Sequence, residues 1–196
     1  MNDQILSAVK ALHMGQVVAH STETCYGLAV DIFQAAAVRR LYSLKKMPLG
    51  KPVSILVRDL EEAQRYGKFP PLAVKLALKY WPGPLTIVVP RREGGSAGAC
   101  ALPAWINPSE ETIGFRVSSN KWARKLVEAF GGPVTTTSAN LSGAVQAYSV
   151  QEMLDSGLVP DFVLDGGSIG VTPPSTIVKV VGDEVTVIRQ GDIVIL

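Results

Sequence analysis

Apolar residues at Ile5, Ala8, Val9 and Leu12 fall on one helical stripe, and Gly15 stands where a helix would stop, so the chain is expected to open with a helix. Residues 16–21 then read as a short strand, followed by a polar, glycine-ended segment over 22–27. A second helix is expected over 35–46, with Val38, Leu41, Tyr42 and Lys45 on one face and Pro48 beyond its end. The near-continuous apolar run 53–57 is patterned like a buried strand. Asp59 with Glu62 resembles a capping box opening a short helix, and Pro70-Pro71 begin another that runs to Tyr80. Trp81-Pro82-Gly83-Pro84 then turns the chain into a strand over 85–89.

The second half continues the alternation. Residues 91–101 are glycine-rich and expected to be mobile, with 93–100 either a lid or a surface loop. A strand is expected over 113–117, a helix over 121–130 capped by Asn120 and closed by Gly131, and a strand over 133–136. After a loop over 137–148, Ser149 and Glu152 repeat the capping-box pattern, and strands follow over 162–165, 175–181 and 184–189. Helices alternating with strands, then strands alone, predict an α/β fold with a mixed sheet. No internal repeat or linker divides the chain, so residues 1–196 are expected to form one domain.

Composition narrows the class. At 196 residues, 47% hydrophobic and 18% charged, the chain can bury a full core, which excludes disordered and low-complexity classes. Cys25 and Cys100 are too few for a disulfide framework and have no zinc-like spacing, so a reduced, cytoplasmic setting is expected. The N-terminus lacks the pattern of an export signal. The longest uncharged stretch, residues 129–151, is too rich in Thr, Ser, Asn, Gln and Gly for a membrane helix. The net charge of +2 is uneven: residues 32–92 carry twelve Lys or Arg against three acids, while residues 141–196 carry two against seven. A basic half suggests an anionic ligand, either nucleotide phosphates or nucleic acid, and solvated helix faces are the plain alternative.

The chemistry-bearing motifs are selective. Neither a G-x-x-x-x-G-K-S/T phosphate loop nor G-x-G-x-x-G is present, so a nucleotide would need another device. Ser43-Leu44-Lys45-Lys46 matches S-x-x-K, but inside a helical pattern and without partner motifs. His13 and His20 are spaced as structural or exposed residues, and Cys25, with no cation beside it in sequence, reads as packing. Three polar segments sit where strands end, the usual place for α/β ligand sites: residues 21–27, 45–52 and 135–143. Each offers hydroxyls, cations or amides to an oxygen-rich ligand, and each taken singly could equally be a turn.

Their order resembles one family. Residues 21–28 are similar to the P-T-D-T-x-Y-G-L segment of the YrdC family of threonylcarbamoyl-AMP synthases. The likeness continues through Lys45-x-Met47-Pro48 (family K-x-R-P), 81–86, the strand around Arg116, 137–143 (family S-A-N-L-S-G), 164–167, 174–176 and 188–191. It covers residues 16–192, without the additional C-terminal domain of longer members.

The resemblance implies an open, twisted sheet with helices around a large concave cavity. It also implies an enzyme that joins L-threonine, bicarbonate and ATP into threonylcarbamoyl-AMP and pyrophosphate. Separate transferase proteins would pass the product to tRNA, and weak RNA binding is possible within the family. By the same resemblance, Thr24, Arg116, Thr136 and Ser175 would hold threonine, and Lys45, Lys51, Thr112, Ser138, Asn140 and Arg189 would hold ATP. Lys45, Ser138 and Asn140 would be the catalytic positions. Mg2+ is expected with ATP, without a dedicated protein site. Met47 departs from the family by replacing an arginine, and Lys46 or Lys51 would then have to substitute. A YciO-like paralogue with weak or no synthase activity, and an RNA-binding module without chemistry, remain open as alternatives.

Overall fold

The computed structural model describes residues 3–92 and 101–195. In chain order its elements are α1 (Asp3–His13), β1 (Val18–Ser21), β2 (Tyr26–Ala29), α2 (Ala35–Leu44), β3 (Ser54–Leu56), α3 (Leu60–Tyr66), α4 (Pro71–Tyr80) and β4 (Leu85–Pro90). These are followed by β5 (Thr112–Arg116), α5 (Lys121–Phe130), β6 (Val134–Ser138), α6 (Val150–Asp155), β7 (Phe162–Leu164), β8 (Thr176–Val181) and β9 (Glu184–Arg189). The expectation for residues 93–100 lies outside the described residues.

Local chemistry sets the helix ends. Asp59 accepts the Glu62 N–H at 2.8 Å, Asn120 the Trp122 N–H at 2.9 Å and Ser149 the Glu152 N–H at 3.1 Å. The return half of each expected capping box goes one residue further back: Glu62 and Glu152 accept from the backbone of Arg58 and Tyr148. Gly131 closes α5 in the left-handed region, with φ of +78°.

One strand departs from the sequence pattern. Residues 26–29, read in part as a polar loop, form β2, paired antiparallel to β1 across a turn at 22–25. A glycine inside a strand obscured it. Gly27 lies opposite His20, and a Cβ there would come within 3.3 Å of the imidazole Nε2, so the glycine makes room for the ring.

The nine strands form one mixed sheet in the order β7-β1-β2-β6-β3-β5-β4-β8-β9. Side chains alternate between its faces, and cross-strand partners share a face. On one face Ala19, Leu28, Ile55, Phe115, Ile87 and Val178 pack into a core completed by α2, α3, α4 and α6. The other face divides in two. Its apolar part, Val18, Ala29, Val134, Leu56 and Leu164, is covered by Ile5, Ala8 and Leu12 of α1 and by Ala123, Leu126 and Val127 of α5. Its polar part continues along the same rows as Ser138, Thr136, Ser54, Arg116 and Thr86, beyond the reach of those helices. The uncovered polar strip becomes a cavity.

His20 sits between the two parts, fully buried. Its Nδ1–H donates to the Ser21 carbonyl at 3.3 Å, and Nε2 has no partner. Burial drives its pKa down to about 4, against the pull of the Ser21 carbonyl. Below its ordinary value of 6.5 the unfolded chain therefore takes up a proton that the folded chain refuses until about pH 4. Stability is expected to fall by about 3 kcal/mol as pH drops across that window. Denaturant unfolding at pH 7 and pH 4.5 checks this: His20→Phe should flatten the slope between pH 6.5 and 4, whatever its own baseline.

Candidate functional site

The cavity has a volume of about 300 Å³, and the turn between β1 and β2 builds one wall of it. The Thr22 hydroxyl organises that turn, accepting from the N–H groups of Thr24 and Cys25 and donating to the Cys25 carbonyl at 2.7 Å. The turn thereby carries the side chains of Glu23 and Thr24 to Arg116, at the end of β5. Arg116 Nη2 donates to Glu23 Oε1 and to Thr24 Oγ1, both at 2.9 Å. Arg116 Nε is buried and has no partner. Nη1 makes no hydrogen bond either, so this guanidinium brings unspent donors to the cavity it lines, a place for an anionic oxygen.

Arg189 forms the opposite cationic wall. It reaches across β8, with Nε and Nη2 donating to the Ser175 carbonyl at 3.0 and 2.7 Å and Nη2 also donating to Ser175 Oγ at 2.9 Å. Gly191 permits this approach, since a Cβ there would lie 2.0 Å from the Pro174 carbonyl oxygen. Burial and then the Arg116 charge lower the Arg189 pKa from its ordinary value. Two guanidiniums that disfavour each other across a cavity leave it electrostatically suited to anions. Lys51 also lines it.

The loop after β6 is held from behind. Lys45, buried at the end of α2, donates through Nζ to the carbonyl oxygens of Ser138 and Asn140, the latter at 2.8 Å, and to Asn140 Oδ1 at 3.2 Å. Ser138 Oγ donates to Asn140 Oδ1 at 2.6 Å, and the Asn140 amide donates to the Ala144 carbonyl. Burial lowers the Lys45 ammonium to about 8.

The expected site residues therefore divide. Thr24, Arg116, Thr136, Ser175, Lys51, Ser138 and Arg189 line the cavity. Lys45 and Asn140 stand outside the lining and shape the Ser138 loop from within. Thr112 is also outside it: it begins β5, four residues before Arg116, about 13 Å along an extended strand. Met47 is buried in the apolar core, so that position supplies packing and no charge, and Lys46 is exposed beyond the cavity wall.

Sequence reading missed Ser54, Thr86 and Gln146 on the cavity wall and Ser118 near Arg116, and gave Glu23, inside the polar segment 21–27, no role of its own. The available signal was parity: Ser54 and Thr86 are polar interruptions of apolar strands, in register with Thr136 and Arg116. Cys25, read as packing, is buried but also lines the cavity. Burial pushes its thiol pKa up, against the pull of Arg116, so it rests as a neutral thiol. Among the described residues no cluster of His, Cys, Asp or Glu is arranged to hold a metal ion, and Glu23 is already committed to Arg116 and Ser118.

Comparison with known proteins agrees with this geometry. The Sua5_yciO_yrdC family, described as "Telomere recombination", matches residues 10–191. A putative threonylcarbamoyl-AMP synthase of Methanocaldococcus jannaschii is 35% identical over 183 residues, covering 93% of this chain and 83% of that protein. Among solved structures, Pyrococcus abyssi Sua5 complexed with L-threonine superposes with a TM-score of 0.85 at 29% identity. That match covers 95% of this chain but 54% of Sua5, so the chain spans little more than half of that protein. Escherichia coli YciO superposes with a TM-score of 0.82 at 28% identity, covering 95% of this chain and 88% of YciO. The order of motifs, the nine-stranded sheet and the polar strip on its open face thus have one common explanation: the chain belongs to the Sua5/YciO/YrdC family.

Proposed function

We propose that the protein is an L-threonylcarbamoyladenylate synthase, a nucleotidyltransferase that makes threonylcarbamoyl-AMP and pyrophosphate from L-threonine, bicarbonate and ATP. The observation that carries this reading is Arg116, a guanidinium with donors left unpaired, lining a cavity whose other charges, Lys51 and Arg189, are also positive. One amino-acid carboxylate and one polyphosphate fit that arrangement. Relatives named as threonylcarbamoyl-AMP synthases, and a Sua5 structure with threonine bound, support the assignment.

In this reading Arg116 receives the threonine carboxylate, with Thr24, Thr136 and Ser175 around it. The threonine amine, as the free base, attacks carbon dioxide and loses a proton, or attacks bicarbonate with loss of water, to give a carbamate. A carbamate oxygen then attacks the α-phosphorus of ATP, and pyrophosphate leaves. The nucleophile belongs to the substrate, which suits a cavity whose thiol, Cys25, is neutral and buried. Lys51, Ser138 and Arg189, which line the same cavity, would meet the phosphate oxygens, so the chain's task is positioning and charge stabilisation. Mg2+ would arrive with the ATP phosphates; no carboxylate cage among the described residues fits it, and no step is assigned to it. The product would be used by separate tRNA-modifying transferases in the cytoplasm.

Met47 favours one second reading, a YciO-like paralogue that binds nucleotide with weak synthase activity, because the family arginine is replaced by a core side chain.

Pyrophosphate release with each substrate omitted in turn separates the two. A synthase should require threonine, bicarbonate and ATP together. ATP binding without threonine-dependent release would favour the paralogue.

The two lysines should also separate. Lys51→Met should raise the KM for ATP roughly tenfold and change stability by less than about 0.5 kcal/mol. Lys45→Met should cost about 1–3 kcal/mol in denaturant unfolding, because it strips a buried donor from the carbonyls of Ser138 and Asn140.

A further inference from the structure

Glu23 belongs to the turn that delivers Thr24, yet it does not line the cavity; it joins Arg116, which does, to Ser118, which does not. Its side chain is 16% exposed, and that of Arg116 9%. Oε1 takes one proton of Arg116 Nη2, and Oε2 accepts from Ser118 Oγ. Ser118 in turn accepts the Asn120 N–H at 3.2 Å, and the Asn120 side chain both caps α5 and donates to the Thr22 carbonyl at 3.1 Å. A closed circuit thus runs from the turn to the start of α5 and back, with one buried carboxylate at its centre.

Burial raises the Glu23 pKa, but the Arg116 charge and the hydrogen bonds from Ser118 and Arg116 outweigh it, so the carboxyl rests below its ordinary value. It is therefore charged at neutral pH. With Thr24 accepting the second Nη2 proton, both donors of that nitrogen are spent on the protein. The guanidinium plane is fixed, and Nε and Nη1 are the nitrogens left without a protein partner.

We propose that Glu23, braced by Ser118, is a positioning residue for Arg116, splitting the guanidinium into an anchored nitrogen and a donor presented to the amino-acid carboxylate. This rests on the reading of Arg116 as the threonine-carboxylate ligand. Glu23 acts through Arg116 and does not touch the substrate.

The alternative physical effect has the opposite sign. A carboxylate this close to Arg116 also repels a substrate carboxylate, so if charge alone mattered, neutralising Glu23 would tighten threonine binding. If positioning dominates, neutralisation loosens it.

Steady-state kinetics of the full chain decides between them. Glu23→Gln should raise the KM for threonine roughly tenfold, leaving kcat and the KM for ATP within about twofold. Glu23→Asp, which keeps the charge, should recover most of that loss. Ser118→Ala, which leaves the ion pair in place, should raise the threonine KM about threefold and stands in if Glu23→Gln does not fold. A threonine KM that is unchanged or lowered in Glu23→Gln would overturn the proposal. So would a parallel rise in both KM values with a loss of Tm, which marks a merely structural residue. Wild-type protein with no threonine-dependent turnover would overturn the functional reading, and this proposal with it. Normal wild-type turnover with an unaffected Glu23→Gln would overturn the proposal alone.

Discussion

A guanidinium taken out of water must find acceptors for its donors or cost the fold several kcal/mol, and Arg116 imposes that requirement at the centre of the open sheet face. Three pieces of chain meet to satisfy it. β5 supplies the arginine, the β1–β2 turn supplies Glu23 and Thr24, and the segment leading into α5 supplies Ser118 and Asn120. The demand is only partly met, since Nε and Nη1 are left without protein partners. In a protein built to bind an anion, such an unmet donor belongs to the ligand.

The sheet turns this local arrangement into a cavity. Period-two alternation gives every central strand a dry face and a second face that α1 and α5 cover only in part. Where coverage ends, the same rows switch from Val, Ala and Leu to Thr, Ser and Arg. The glycines follow the same logic: Gly27 yields space to His20, and Gly191 lets the loop before β8 approach closely enough for Arg189 to hold Ser175. Arg189 and Arg116 then face a common space from different strands, and their mutual repulsion suits that space to anions.

What sequence could reveal followed from how local each cause was. Helix caps at Asp59, Asn120 and Ser149 act within three residues, so their motifs were readable. The sheet was readable as mixed because helices alternated with apolar runs, whereas β2 was obscured by Gly27, whose reason lies on the neighbouring strand. Site residues were harder to read because spacing does not reveal which way a side chain turns. Lys45 has the sequence context of a phosphate ligand, yet its ammonium is engaged with the carbonyls of Ser138 and Asn140, the first 93 residues away along the chain. Ser54 and Thr86 joined the site only through register, and Glu23 became meaningful only once Arg116 was seen beside it.

In this reading Arg116 is the amino-acid carboxylate site, through the donors that Glu23 and Thr24 leave free. A crystal structure of the protein grown with L-threonine tests it directly. A carboxylate oxygen is expected within about 3 Å of Arg116 Nη1 or Nε, with the bonds from Nη2 to Glu23 and Thr24 intact. Threonine bound with its carboxylate on Arg189 or Lys51, while Nη1 and Nε of Arg116 stay unpaired, would contradict it.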